Sequence, residues 1–313
     1  MRVLLTGASG FLGRNFLLRA PEGWNILALY RNDASFPAFV QDLERRNIVA
    51  AQCDLESPGE IAATLDRHGR DWDAALYLAA KVDIPWSVEQ PREDLLQNVS
   101  PLLNLLERVH VDNFVYFSSG AVYDGLSGEV RPDMPVAPTL PYAISKLACE
   151  RYVDFYTRRR RSIGRHLIVR FFGAYGPYEA PHKIYTRLIR AFAIEGKDSY
   201  TLYGDGQNRI DAMYVDDAVD AILRMINGQC WNTTVNLAGG HPVTVETLAR
   251  QIAHLIAPAG VRIEKQGAAH ENNHFWGSTS EMQELFGFKA RIGLAAGIAR
   301  FSEFLGARAK ENV

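Results

Sequence analysis

Arg2-Val3-Leu4-Leu5-Thr6-Gly7-Ala8-Ser9-Gly10-Phe11-Leu12-Gly13 opens the chain with an apolar strand, a glycine turn and the start of a helix. The helix is signalled by Phe16, Leu17 and Leu18, which follow at helical spacing. Gly7, Gly10 and Gly13 form a Gly-x-x-Gly-x-x-Gly series rather than Gly-x-Gly-x-x-Gly. Glycines at this junction let backbone approach a pyrophosphate at a helix N-terminus, where unpaired N–H groups and the helix dipole favour anions. A plain strand-to-helix turn could use the same glycines, but three of them directly after an apolar strand favour a dinucleotide.

Working outward, further apolar strands read at 26–30, 48–53, 74–79, 113–118, 167–170 and 234–237, with helical patterns between most of them. Such alternation predicts an α/β fold with a parallel sheet covered on both faces. In such sheets ligands bind beyond the carboxyl ends of strands. Asp54 stands at one end, Ala79-Ala80 at another and Ser118-Ser119 at a third. Small residues at Ala79 and Ala80 suit either a passing cofactor or close helix packing. The end of the second strand discriminates nicotinamide cofactors, because a carboxylate there bonds the ribose 2′-hydroxyl whereas arginine accommodates a 2′-phosphate. The sequence there is Leu29-Tyr30-Arg31-Asn32-Asp33. Arg31 favours NADP, and Asp33 leaves NAD open if the strand runs longer.

Pro141-Tyr142-Ala143-Ile144-Ser145-Lys146 puts a phenol and an ammonium four residues apart on one face of a predicted helix. Tyrosine titrates near pH 10, and a neighbouring ammonium is expected to lower that value, making the pair an acid/base device. Helices are predicted around 98–109 and 142–156, both with apolar surface suited to a dimer. The second ends near Arg158-Arg159-Arg160-Arg161, cations that complement a helix C-terminus in solvent. After Arg170 the chain turns aromatic and turn-rich through Phe171 to Pro177 and on to Gly204 to Arg209, material suited to substrate. Thr244 reads as the N-cap of a late helix with Leu248, Ile252, Leu255 and Ile256 as its stripe. A second domain interleaved with the first is expected.

The 313 residues are 47% apolar and 22% charged with a formal net charge of −2, an ordinary globular balance that advertises neither nucleic acid nor membrane as partner. Cys53, Cys149 and Cys230 are far apart and lack Cys-x-x-Cys spacing, which suits reduced thiols without zinc. The eight histidines lack metal-ligand spacing, so no metal site is proposed. Without a recognisable leader or a bilayer-length apolar run, a cytoplasmic protein is expected.

Taken in order, these residues resemble the extended short-chain dehydrogenase/reductase superfamily, specifically its nucleotide-sugar epimerase/dehydratase family. The matching segments are 6–13, Asp54-Leu55, Leu78-Ala79-Ala80, Asn98, 117–123, Tyr142 with Lys146, 170–177, 204–217 and 236–240. The resemblance implies a Rossmann-type doubly wound parallel sheet with a smaller interleaved C-terminal substrate domain. It divides the chain into 1–170 with 211–238 for the dinucleotide, and 171–210 with 239–313 for the substrate. It implies that Ser119, Tyr142 and Lys146 are catalytic, Tyr142 as acid/base and Lys146 as ribose contact and pKa-lowering cation. Gly7, Gly10, Phe11, Leu12, Gly13, Arg31, Asp54, Leu55, Leu78, Ala79, Ala80, Asn98, Tyr142 and Lys146 become cofactor contacts for NADP, favoured, or NAD. Lys81, Ser119, Gly120, Tyr175 and Arg209 become substrate contacts, and a homodimer is expected. Family dehydratases carry an acidic pair after the catalytic hydroxyl residue; here Gly120 and Ala121 occupy those positions, and neither transfers a proton. Epimerisation of a nucleotide-activated sugar through a transient ketone is therefore favoured. NADPH-dependent reduction of a nucleotide-ketosugar is the alternative, and a non-catalytic cofactor-binding protein a third. Gly173 in place of asparagine, and Arg209-Ile210-Asp211 in place of an adjacent Arg-Asp pair, depart from the family pattern.

Overall fold

A computed structural model describes residues 1–257, 260–267 and 274–311. The sheet has seven strands. Five of them are β1 (Arg2–Thr6), β2 (Asn25–Tyr30), β3 (Ile48–Gln52), β4 (Asp71–Tyr77) and β5 (His110–Ser119), joined by Ile163–Phe171 and Thr233–Leu237. From one edge the order is Thr233–Leu237, Ile163–Phe171, β5, β4, β1, β2, β3. Every pairing from β3 through to Ile163–Phe171 is parallel. Parallel strands covered on both faces must be apolar throughout, and Val3, Leu4 and Leu5 of β1 are all fully buried.

The chain builds outward from β1 to β3, then crosses back to place β4 on the other side of β1. That reversal is the switch point of a doubly wound sheet, where loops diverge and leave a crevice at the strands' carboxyl ends. Thr6 at the end of β1 is in register with Tyr77 at the end of β4. The helices relevant to the site are α1 (Phe11–Arg19), α2 (Phe36–Asp42), α3 (Pro58–His68), α4 (Ile84–Glu89), α5 (Pro91–Asn98), α6 (Ser100–Leu106) and α7 (Pro141–Phe155). One core cluster joins Leu4, Tyr77, Phe114 and Tyr116 of the sheet to Leu102 and Leu105 of α6 and Val153 of α7.

The helix expected over 98–109 is instead two helices, α5 ending at Asn98 and α6 starting at Ser100. Pro101 lacks the N–H that would continue the ladder, so the break is dictated locally. Beyond α7, a π-helical turn at Tyr156–Arg160 ends in a left-handed Arg161 at φ 59°. Arg158 to Arg161 are exposed, and Arg158 pairs with Asp154 one turn back.

The chain forms two compact units, one of residues 1–125, 132–171 and 221–236 and one of 126–131, 172–220 and 237–313. This division departs from the sequence-based one at two places. Ser127–Val130 pairs in parallel with His274–Gly277 and so joins the second unit. At the start of helix Val215–Asn227, Asp217 accepts the N–H groups of Arg291 and Ile292, so that end of the helix also belongs there. The second unit is otherwise held by short ribbons, Ser199–Tyr203 with Arg262–Gln266 and Ala174–Tyr175 with Met213–Tyr214. Its helix Val245–Ile256 is capped by Thr244, whose hydroxyl accepts from the Thr247 N–H. Leu248 and Ile252 of its stripe are buried, whereas Leu255 is exposed. Among the described residues no helix is long and apolar enough to cross a membrane, and no cluster of His, Cys, Asp and Glu could hold a metal ion.

Candidate active site

Gly7 follows β1 in the left-handed region, at φ 66°, and a Cβ there would come within 2.8 Å of the Ala79 nitrogen. Gly13 is equally constrained, since a Cβ would lie 2.5 Å from the Gly7 and Ala8 carbonyl oxygens. These two glycines let β1, β4 and α1 converge. Gly10 is the N-cap of α1, its N–H donating to Gly7 O. Phe11, Leu12 and Gly13 form the first helical turn, so their N–H groups have no acceptor within the helix. The crevice over this turn is a cavity of about 280 Å³ whose walls include Gly7, Gly10, Arg31, Asp54, Leu55 and Ala79. Leu78, Ala80, Lys81, Cys53 and Gln97 also face it. Helix-terminal N–H donors beside a crevice at the switch point fit a dinucleotide pyrophosphate.

At the end of β2 the two candidate cofactor selectors part company. Asp33 is held by Arg14 Nη2 at 2.8 Å and by the Ser35 N–H and hydroxyl. Burial opposes its charge, yet the bonds from Ser35 and Arg14 outweigh this and hold the carboxyl below its usual range. Arg14 also bonds Ser9 O, so Asp33 braces the glycine turn rather than facing the crevice. Arg31 does face it, with its guanidinium 3.3 Å from Glu56. Asp54 accepts the Glu56 N–H at 2.9 Å, shaping the wall beyond β3.

Asn98, expected to touch the cofactor, is 4% exposed and grips the Lys81 backbone instead: its Oδ1 accepts the Lys81 N–H at 3.0 Å and its Nδ2 donates to Lys81 O at 3.2 Å. Its reach is spent on fixing the segment after β4. Lys81 Nζ lies 4.9 Å from the Trp86 ring centre.

Ser119 ends β5, and its hydroxyl accepts from the Ala121 N–H at 3.1 Å, capping the 3-10 turn Gly120–Tyr123. Tyr142 and Lys146 lie in α7, 3% and 4% exposed. Ser119 lies close enough to the Tyr142 phenol to act on its charge, so these two candidates come together. Lys146 Nζ donates to Phe117 O at 2.8 Å and sits over the Tyr116 ring. The expected lowering of the phenol's pKa is reversed. Burial dominates and pushes Tyr142 well above the ordinary tyrosine value; Ser119 opposes this, while Asp94 and Cys149 add to it. Burial likewise pulls Lys146 down to about 8. In this arrangement the phenol is a proton donor in waiting, not a phenolate.

Sequence reasoning missed the residues that hold this pair. Ser87 of α4 accepts the Tyr142 N–H at 3.3 Å, serving as a cap from a distant element for a helix without a local one. Ser145 donates to the fully buried Asp94 at 2.7 Å. Behind Ser119, Ser118 donates to Glu150 at 2.5 Å, and Glu150 accepts from both Nε and Nη2 along one edge of the Arg170 guanidinium. Arg170 also reaches the Tyr123 hydroxyl, which donates to Asn236. Ser145 lies in the Pro141–Lys146 stretch, and Ser118, Tyr123, Arg170 and Asn236 lie in segments already singled out in sequence; Ser87, Asp94 and Glu150 carried no such signal.

In the second unit, Tyr175 is no open contact. It is 2% exposed, stacked on Tyr185 at 4.1 Å between ring centres, with its hydroxyl against Gly297 where a Cβ could not fit. Burial raises its pKa too. Arg209 is exposed, and its guanidinium lies 4.9 Å from the Trp276 ring centre. Asp211, near it in sequence, is buried and accepts the His241 N–H at 2.9 Å.

A glycine turn at the switch point of a doubly wound parallel sheet, with Ser119 at the end of β5 and Tyr142 and Lys146 on α7, places the chain among Rossmann-like α/β proteins. Residues 3–238 match the NAD dependent epimerase/dehydratase family, and the chain belongs to that family. It is 27% identical to UDP-glucose 4-epimerase of Mycolicibacterium smegmatis, over 97% of this chain and 98% of that one. It is also 27% identical to dTDP-glucose 4,6-dehydratase of Streptomyces niveus, over 97% and 92% respectively. Among solved structures, MoeE5 in complex with UDP-glucose and NAD is 28% identical, with a TM-score of 0.82 and coverage of 99% and 100%.

Proposed function

We propose that the protein is a nucleotide-sugar epimerase that oxidises a sugar hydroxyl, at C4 in the simplest case, and reduces the resulting ketone from the other face. The observation that carries this reading is the meeting of Ser119 and Tyr142 beside Lys146, followed by Gly120 and Ala121 where dehydration needs an added acid and base. Bound nicotinamide supplies hydride acceptance and return. Ser119 orients the reacting hydroxyl; because burial keeps the Tyr142 phenol protonated, oxidation requires it to lose that proton first, after which the phenolate takes the hydroxyl proton as the hydride leaves and gives it back on reduction. Lys146, protonated below about pH 8, stabilises the phenolate form that oxidation starts from. Lys81 and Gly120 are proposed sugar-nucleotide contacts, and Arg209 a phosphate contact. Of the cofactors, Arg31 favours NADP by offering a guanidinium to a 2′-phosphate, while the family's name and the MoeE5 complex speak for NAD.

A homodimer through α7 is part of the same reading, supported by its exposed Ile144, Tyr152 and Phe155; of the other helix expected to take part, over 98–109, Leu102, Leu105, Leu106 and Val109 are buried within the chain, and the exposed apolar residue beside it is Leu95 of α5.

The test is to incubate purified protein with UDP- and dTDP-hexoses, separate the products by ion exchange, and identify the cofactor that copurifies. Interconversion of 4-epimers with oxidised cofactor retained supports the proposal. Consumption of exchangeable NADPH with a ketosugar would replace it with a reductase, and release of water with a dehydratase.

A further inference from the structure

We infer that Asp94 is a positioning residue for the Tyr142–Lys146 pair, tying α5 to α7 through Ser145 and setting the electrostatics at both reacting side chains. Asp94 is fully buried on α5 and touches neither the crevice nor solvent. Its two oxygens have different partners: Oδ2 accepts the Ser145 hydroxyl at 2.7 Å and Oδ1 accepts Asn98 Nδ2 at 2.9 Å. Both bonds run toward the carboxyl, so each of its oxygens serves as an acceptor. A buried carboxylate is costly unless its charge is matched by such bonds and by a nearby cation. Ser145 immediately precedes Lys146 in α7, and Asn98 fixes the Lys81 backbone. One carboxylate thus registers the helix carrying the acid/base pair against the segment that lines the crevice.

The groups facing the pair come from three elements. Tyr142 faces Ser119 from β5, Asp94 from α5 and Cys149 from its own helix. Lys146 faces the Phe117 carbonyl and Tyr116 ring from β5, Asp94 from α5, and Cys149 and Glu150 from α7. Glu150 is neutralised by Arg170, and the Cys149 thiol is pushed up by burial, which leaves Asp94 as the carboxylate without its own cationic partner among those groups. A negative charge here works on both partners in one direction: it keeps the ammonium on Lys146 and the proton on Tyr142.

The inference rests on the acid/base reading above, so its test has two arms. Asp94→Asn keeps the size and can keep both hydrogen bonds once the Ser145 hydroxyl rotates, but removes the charge. In the first arm, the pH profile of turnover should move as a whole to lower pH, both limbs by about half a unit or more, because each titrating group loses a neighbouring anion. The second arm needs no substrate. Lys146 binds its proton less tightly folded, near pH 8, than at its ordinary 10.5, so unfolding free energy should rise with pH between those values. In Asp94→Asn the start of that rise should shift to lower pH by a similar amount, read from urea unfolding of variant and wild type side by side. If Asp94→Asn does not fold, Asp94→Ser removes the charge from a smaller side chain and carries the same reading. Lower turnover or stability with both profiles unmoved along the pH axis would overturn the inference. Loss of the epimerase reading would show instead as absent turnover in wild type, with the stability arm still decisive.

Discussion

At the residue scale, Tyr142 is the side chain on which the chemistry turns, and it is also where sequence logic met its limit. Spacing alone places Lys146 on the same helical face, but the sign of the pKa shift depends on how dry the site is. Lys146 points its ammonium at Phe117 O, and burial governs both groups. Tyr142→Phe should keep the ring and the fold while removing the proton, lowering turnover about 10²- to 10⁴-fold with cofactor affinity nearly unchanged. Turnover beside a cofactor titration checks this, and near-normal turnover would defeat the mechanism. Arg31 makes the second residue-level prediction. Its partner Glu56 is half-exposed and the ion pair is worth little, so the guanidinium can turn to a phosphate at small cost. Arg31→Ala should weaken NADP binding well beyond any loss of NAD binding, since only a 2′-phosphate makes the charge-assisted contact. Equal losses, measured by calorimetric titration of both cofactors, would remove the NADP preference.

At the element scale, the helix Ile184–Ile189 in the second unit lacks a cap from its own N-cap residue, Lys183. Glu179 supplies one from outside, accepting the Thr186 N–H at 3.1 Å and its hydroxyl at 2.6 Å. Burial outweighs those bonds and lifts the Glu179 carboxyl to about 7. A carboxyl raised on folding binds protons more tightly in the native state, so its contribution to stability is complete below its ordinary range and is lost as pH climbs toward 7. Glu179→Gln, which stays neutral, should abolish that decline between about pH 4.5 and 7 and leave the variant the flatter profile, about 3 kcal/mol apart at pH 7. Parallel urea titrations at pH 5 and pH 7 would show it; equal pH dependence in both proteins would refute it. Elements also mark what the sequence could and could not disclose. The strands of the main sheet were legible where burial makes them short apolar runs, whereas the polar starts of β4 and β5 went unread, and Gly7 and Gly13 were legible because no other residue tolerates that turn. The paired ribbons of the second unit were not, since two-residue strands such as Ala174–Tyr175 leave no periodicity to read. Asp94 and Ser87 were invisible for another reason: they act across 51 and 55 residues, and only the fold brings them to α7, just as it alone brings Ser118 and Arg170 to Glu150 on that helix.

At the scale of the whole molecule, Ile144, Tyr152 and Phe155 leave an apolar stripe on α7 that one chain does not cover. Sedimentation or light scattering at micromolar concentration should report a dimer, and Tyr152→Glu should shift it toward monomer, because a charge in an apolar seam costs desolvation that nothing repays. A monomeric wild type would refute the assembly. A different consequence follows from the route of the chain through the sheet. The strand that completes it, Thr233–Leu237, is encoded about sixty residues after its neighbour Ile163–Phe171. On a ribosome adding roughly 5–20 residues per second, that neighbour waits several seconds with one side of its backbone unpaired. An apolar strand with an open edge is a template for other chains. Nascent protein is therefore most exposed to self-association just as its glycine turn and Tyr-Lys helix have already emerged, and a gene truncated after Phe171 should yield aggregate instead of a usable half, as fractionation of the expressed fragment would reveal.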